Sequence, residues 1–445
     1  MSGRVLVPPS LKATFHRLLV PLVSALALGN GHAVLAGDEP FEQSPISYST
    51  TSPRDVIQRL EKRMAAGEFR FQGGDREVAR ALLQALNIQE SSQVLVFSKT
   101  SFQLSLIHPN TPRALYFSGD CYVGWVPGGL MEVTSIDPEL GPVFYTFDPH
   151  LPEGGQTRFH RDSDCLRCHG GTFVREIPAV MVRSIATDRS GQPIFSQGST
   201  LVDDTTPFSE RWAGWYVTGT GGTVRHRGNI LSRERDGGLV VDVDFGGNRT
   251  NLPPSVDAGR FLAPGSDVAA LLVLEHQCGV QNALTRAAHQ CRRILQYQQN
   301  LQRDLKEPIT VGPTYDSARR VYDSCAQEVL DRLLFREAAA LPEDGFTGGG
   351  AFSSDYARRG IRTRAGQSLA DLDLRTRLFK LRCSPLIYSA TFHQLPEHLR
   401  ERVLERLHRI LDEPELEPRF AHLEAVERKS IRHILTETLP EFARR

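Results

Sequence analysis

The sequence predicts an α+β fold: a strand-rich region followed by a mostly helical C-terminal half. Three observations carry this. Between Val94 and Asp148, short runs of β-branched and aromatic residues alternate with glycine, proline and asparagine. From Ser266 onward, apolar residues recur at helical spacing, and Val268 to Gln302 contains no proline. With 40 % hydrophobic and 23 % charged residues over 445 positions, the chain has ordinary globular composition and room for two or three domains.

The elements follow in order. Arg4, Lys12 and Arg17 form a basic start, Leu18 to Leu28 is an apolar run shorter than a membrane span, and Val34-Leu35-Ala36 ends in small residues. This is the pattern of an export signal cleaved after Ala36. The chain then divides at 37–92, 93–265 and 266–445. In 37–92, Pro53 precedes a helix with Val56, Ile57, Leu60 and Met64 on one face, and a second helix runs near Arg76 to Leu86. In 93–265, strands are expected at Val94–Phe97, Ala114–Phe117, Tyr122–Val126, Met131–Val133 and Pro142–Tyr145. They resume at Val180–Ile185, Pro193–Phe195 leads into another strand, and the aromatic cluster Arg211–Thr218 follows, ending in the glycine-rich Gly219 to Gly222. Residues Gly228 to Pro264 read as loop. In 266–445, helices are expected at Val268–Gln302 (with a join near Gly279), Ser317–Ala340, Leu369–Leu381, Pro396–Leu411 and His422–Leu435, and Gly345–Ala351 reads as a linker.

Chemistry concentrates at Cys165-Leu166-Arg167-Cys168-His169, followed by Gly170 and Gly171. Two thiols three positions apart with an imidazole directly after the second is the spacing of c-type haem attachment. The thiols add to haem vinyl groups, and the tether holds His169 under the iron. Glycines after the motif let backbone and porphyrin approach. Cys-x-x-Cys also occurs in redox disulfides and in halves of zinc sites. There is no second Cys-x-x-Cys, and the histidine after the second cysteine discriminates in favour of haem.

At this motif the chain resembles the c-type cytochromes, as a large, divergent, exported single-haem protein containing a cytochrome c domain. The resemblance implies haem c, redox chemistry and a periplasmic or extracytoplasmic location, since haem is attached to such motifs outside the bacterial cytoplasmic membrane. It implies electron transfer with a redox partner protein. A haem-based redox enzyme, or a ligand sensor with an open sixth iron position, is the alternative. The strand-rich surroundings also loosely resemble exported PAS-like sensor domains. A third reading makes the haem a staple in a protein-binding molecule.

The second iron ligand decides between these readings. His276 stands in an apolar helical run, His226 follows a glycine-rich loop between two arginines, and Met181 lies on a strand soon after the motif. The histidines rank first and Met181 is the weaker candidate; His160 is too close to the motif to cross the haem plane. Acidic and basic residues balance at 52 each, which gives no basis for nucleic-acid binding. No later stretch is long and apolar enough to span a membrane in the mature chain. Of the five cysteines outside the motif, Cys325 and Cys383 are the first pair to test for a disulfide.

Overall fold

Short strands buried on both faces build the central sheet of this computed structural model, which describes residues 39–150, 159–235, 238–240, 247–348, 350–414 and 417–444. Strands β1 (Val94–Val96), β2 (Arg113–Phe117), β3 (Cys121–Trp125), β4 (Met131–Asp137), β5 (Gly141–Phe147) and β6 (His160–Arg161) form an antiparallel series. The sheet runs β6-β5-β4-β3-β2-β1 and is completed at the β1 edge by a short strand, Trp215–Tyr216. Leu95, Ala114, Tyr116, Val123, Met131, Val133 and Tyr145 point to one face. There they meet helices α1 (Val56–Ala65) and α2 (Asp75–Ala85) through Ile57, Leu60, Val78 and Leu82. The alternate residues Val94, Val96, Phe117, Tyr122 and Ile136 point to the other face. Covering both faces explains why these strands read as continuous apolar runs rather than alternating ones. Asp55 caps α1, accepting from the Gln58 backbone N–H at 3.0 Å.

After β6 comes a 3₁₀ turn, Ser163–Cys165, and the one-turn helix α3 (Leu166–His169). Strands β7 (Val182–Ile185) and β8 (Ser199–Val202) then make a two-stranded ribbon, with Arg183 opposite Leu201. Next come β9 (Trp215–Tyr216), which is the edge strand of the main sheet, then β10 (Gly219–Thr220), and the ribbon of β11 (Arg233–Arg235) and β12 (Gly238–Val240).

Helix α4 (Val268–Asp304) covers the second face of the sheet with Val268 to Leu274. It is unbroken at Gly279, and its 37 residues span ~55 Å. Its later turns enter a separate helical core with α5 (Asp316–Leu333). Strand β13 (Thr347–Gly348) pairs with β10, so Thr347 and Gly348 of the glycine-rich linker are strand. Helix α6 (Ala351–Arg359) follows, then α7 (Ala390–His393), α8 (Glu397–Asp412), α9 (Ala425–Thr438) and α10 (Pro440–Ala443). Glu39–Arg445 form one compact unit.

The α+β expectation holds, with local differences. Leu369–Leu381 is turns, not helix. Asp373 is the reason: its carboxylate accepts from the Thr376 backbone N–H at 3.1 Å, and Leu374 takes a left-handed φ of 61°. The helix expected to Ala340 stops at Leu333. Pro193–Phe195 leads into β8 as expected, through a 3₁₀ turn at Phe195–Gln197, and Trp215–Tyr216 of the aromatic cluster form β9. Val426, an apolar residue near the start of α9, is 75 % exposed. No helix among the described residues is long and apolar enough to cross a membrane. The export-signal segment lies outside the described residues.

Candidate functional site

The Cys-x-x-Cys-His segment sits where the second sheet face emerges from under α4. Phe144 shares that face with Thr134 and Ile136. Where α4 covers Ile136, Phe144 is covered by the His169 ring instead, with centroids 4.8 Å apart. Asp162 accepts from the Asp164 backbone N–H at 2.9 Å and starts the turn that delivers Cys165 and Cys168. Cys165 is half-buried and Cys168 is exposed.

His169 is tied down twice by one residue. Its carbonyl accepts from the Ala179 N–H at 2.8 Å, and its ring Nδ1 lies 2.7 Å from the Ala179 carbonyl. A carbonyl only accepts, so Nδ1 carries the proton and Nε2 keeps its lone pair. Burial holds the imidazole pKa below its ordinary value, which favours this neutral form. An outer hydrogen bond that fixes the tautomer is the usual support of a metal-ligating histidine. The next residue carries the restraint to α4: the Asn282 side-chain oxygen accepts from the Val180 N–H at 3.0 Å, and its amide donates to the Val180 carbonyl at 2.7 Å.

The two glycines differ in role. A Cβ on Gly170 would meet the Leu166 carbonyl at 2.9 Å and the Phe41 ring at 3.1 Å, so chain packing demands glycine there. Gly171 has nothing within 4 Å of its Cβ position, leaving that side open to a bulky group. Burial, reinforced by Asp162 and Glu132, pushes the Cys165 thiol up to about 12.

Beside the motif lies a partly open apolar surface. Val174, Ile177 and Ala179 pack with Met181 and Leu201. Phe173, four residues after His169, is 49 % exposed and Phe195 is 68 % exposed. The Arg183 guanidinium stands between them, 5.3 and 5.8 Å from the two ring centroids. A flat amphipathic group fits this chemistry: rings for its plane and a cation for a carboxylate. The Arg113–Glu132 ion pair adds polar groups close to Cys165 and His169.

The structure separates the distal candidates. His276 is buried under Phe335, stacked at 4.1 Å. Its Nδ1 meets Asp204 Oδ2 at 3.0 Å and its Nε2 meets Ser384 Oγ at 2.7 Å, so neither nitrogen is free for iron. Serine, histidine and aspartate in this order have the connectivity of a hydrolase triad. Ser384 is fully buried and lines none of the described cavities, so the three form an internal clasp. His226 is buried against Trp212 at 4.8 Å, and its Nδ1 accepts from the Gly228 N–H at 3.0 Å. Burial lowers its pKa to about 4. Met181 alone of the three lies on a segment joined to the motif, half-buried in the apolar cluster. His160 is exposed on β6. Among the described residues no group of three or more His, Cys, Asp or Glu side chains is gathered to hold a bare metal ion.

A second polar network escaped the sequence reading. Arg211 and Glu275, 3 % and 0 % exposed, pair at 2.7 Å, and Trp212 Nε1 donates to the same carboxylate. The available signal was a glutamate beside a histidine in an apolar helical run. The remaining cysteines are free thiols, and Cys325 neighbours Cys291 rather than pairing with Cys383. No family model, curated protein or solved structure matches this chain.

Proposed function

We propose that this protein is an exported c-type cytochrome with one haem carried by Cys165 and Cys168, His169 as one axial ligand, and single-electron transfer to a redox partner protein as its activity. One observation carries the reading: in a Cys-x-x-Cys-His segment with accessible thiols, the imidazole is anchored by Nδ1–H to the Ala179 carbonyl and keeps Nε2 free. Each thiol would add across a vinyl group, sulfur bonding one carbon and the thiol proton passing to the other, so attachment consumes no oxidant. Bound there, haem supplies a one-electron couple. Phe173, Phe195 and the Met181 cluster would shield its plane from water, and Arg183 would neutralise a propionate. Among the distal candidates the reading now favours Met181 over His276 and His226, because a thioether is an iron ligand and its segment leaves from the motif. Periplasmic location rests on the export signal.

The test is expression in a bacterium equipped for covalent haem attachment. The purified protein should carry one haem per chain that survives acid–acetone extraction, and Cys165→Ala/Cys168→Ala should carry none. Extraction of all haem into the organic phase would refute the assignment. Met181→Ala should turn a low-spin, carbon-monoxide-inert protein high-spin and reactive. Rapid carbon monoxide binding by the native ferrous protein would instead make it a ligand-binding haem protein.

A further inference from the structure

Away from the motif, a cleft of about 900 Å³ opens between α1, the β2–β3 turn, α6 and the segment 385–390. Its volume is that of a small-molecule site rather than an ion site. Two properties define what it would hold. Its wall is aromatic: Phe117 and Phe352 lie 5.8 Å apart, and Tyr356 continues the row 5.5 Å from Phe352. Its rim is cationic. Arg59 and Arg63, one turn apart on α1, are exposed, and neither is in an ion pair among the described residues. Across the opening, Arg359 donates to the carbonyl and the side-chain oxygen of Asn87, both at 2.5 Å. Asn87 orients the guanidinium without neutralising it. Asp120 is the carboxylate among the described lining residues, already accepting from Ser118 Oγ at 3.1 Å.

Three cations against one carboxylate, placed at the mouth of an aromatic cleft, select a ligand with two ends. We propose that this cleft binds an amphipathic organic anion, whose flat apolar body lies against Phe117, Phe352 and Tyr356 and whose carboxylate, sulfonate or phosphate meets Arg59, Arg63 and Arg359. An inorganic anion would leave the apolar wall wet, and a neutral apolar ligand would gain nothing from the arginines. The inference is independent of the haem assignment, since none of these residues touches the motif.

The probe is 8-anilinonaphthalene-1-sulfonate, an aromatic body with a fixed negative charge, and N-phenyl-1-naphthylamine is its neutral counterpart. Binding is followed by isothermal titration calorimetry, which haem absorbance does not disturb. Arg59→Gln/Arg63→Gln changes two exposed side chains outside any ion pair among the described residues; Arg63 gives up only its contact over the Phe69 ring, 5.6 Å from the centroid, and the thermal melt should stay in place. Ala390→Trp fills the cleft from an exposed position at its edge. The native protein should bind one sulfonate saturably. The double glutamine variant should weaken it at least about tenfold and flatten its salt dependence while leaving the neutral probe unchanged. Ala390→Trp should weaken both probes. A non-saturating titration, an unchanged sulfonate affinity in the glutamine variant, or undiminished binding to Ala390→Trp would each overturn the proposal.

Discussion

Removing Glu275 should cost more stability than removing almost any other single side chain. Its carboxylate is fully buried and receives Arg211 Nη1 at 2.7 Å and the Trp212 indole N–H. Arg211 is buried as well, donating to the Thr206 carbonyl at 2.7 Å and the Asp204 carbonyl at 3.1 Å, with its guanidinium 4.2 Å from the Phe208 ring. Glu275→Ala leaves a guanidinium that cannot deprotonate, in the interior and without a counter-charge, and orphans an indole donor. Breaking a buried pair from one side costs ~3–5 kcal/mol. Replacing both partners by apolar side chains of similar volume, Arg211→Met with Glu275→Leu, removes the charge problem, and such replacements are often near neutral. The double variant should therefore lie within ~2 kcal/mol of the native protein and well above Glu275→Ala. Urea unfolding followed by far-ultraviolet circular dichroism measures all three. If Glu275→Ala loses under ~1 kcal/mol, or the double variant is no better than Glu275→Ala, the pair is not the buried, desolvated unit described here.

Other expectations follow from named groups. Burial holds His226 at about 4 and His289 at about 3, both below the ordinary 6.5, so the unfolded chain takes up the extra protons. Stability is full above pH ~6.5 and falls as pH drops, by ~3 kcal/mol for His226 alone once pH passes below 4; His226→Gln should flatten the stability–pH curve in that window, and an unchanged slope would refute the burial argument. His276→Ala should lose ~1–3 kcal/mol through the lost bonds to Ser384 and to Asp204, which keeps Arg332 at 3.0 Å, yet leave the spectrum of the proposed haem unaltered; a shift to high spin would reinstate it as a ligand. Gly141→Ala forces a side chain onto a φ of +78° and into Thr285, and should lower the melting temperature through a loss of ~1–3 kcal/mol.

What could be read from the sequence was local, and what could not was remote. The strands from Val94 to Phe147 were legible because each is short, apolar and bounded by turn residues. Helices α1, α2, α8 and α9 were legible from their apolar stripes. His276 could be recognised as a histidine needing a partner. Its partners lie 72 and 108 residues away in sequence, and nothing in the neighbourhood of either advertises the contact. The anchoring of His169 by Ala179 is a backbone acceptor and leaves no side-chain signature. The misread segment Leu369–Leu381 carries helical apolar spacing, but short-range bonds from Asp373 outcompete the helix. Strand β13 was hidden because a pairing of Gly219 and Thr220 with Thr347 and Gly348 depends on backbone alone.

The length of α4 has a consequence for cooperativity. Its first turns, from Val268 to Leu274, belong to the core under the sheet, whereas Val280, Leu284, Ala287 and Cys291 belong to the helical core of the C-terminal half. Fraying at one end must therefore loosen packing at both, and the two cores should melt as one transition with slow amide exchange concentrated along the middle of this helix. A fragment ending before Ser266 would bare the sheet face carrying Val94, Val96, Phe117 and Ile136, a continuous sticky surface, and would aggregate rather than yield a portable domain. Shortening this protein is thus a matter of trimming its ends, and its two halves are not separable building blocks.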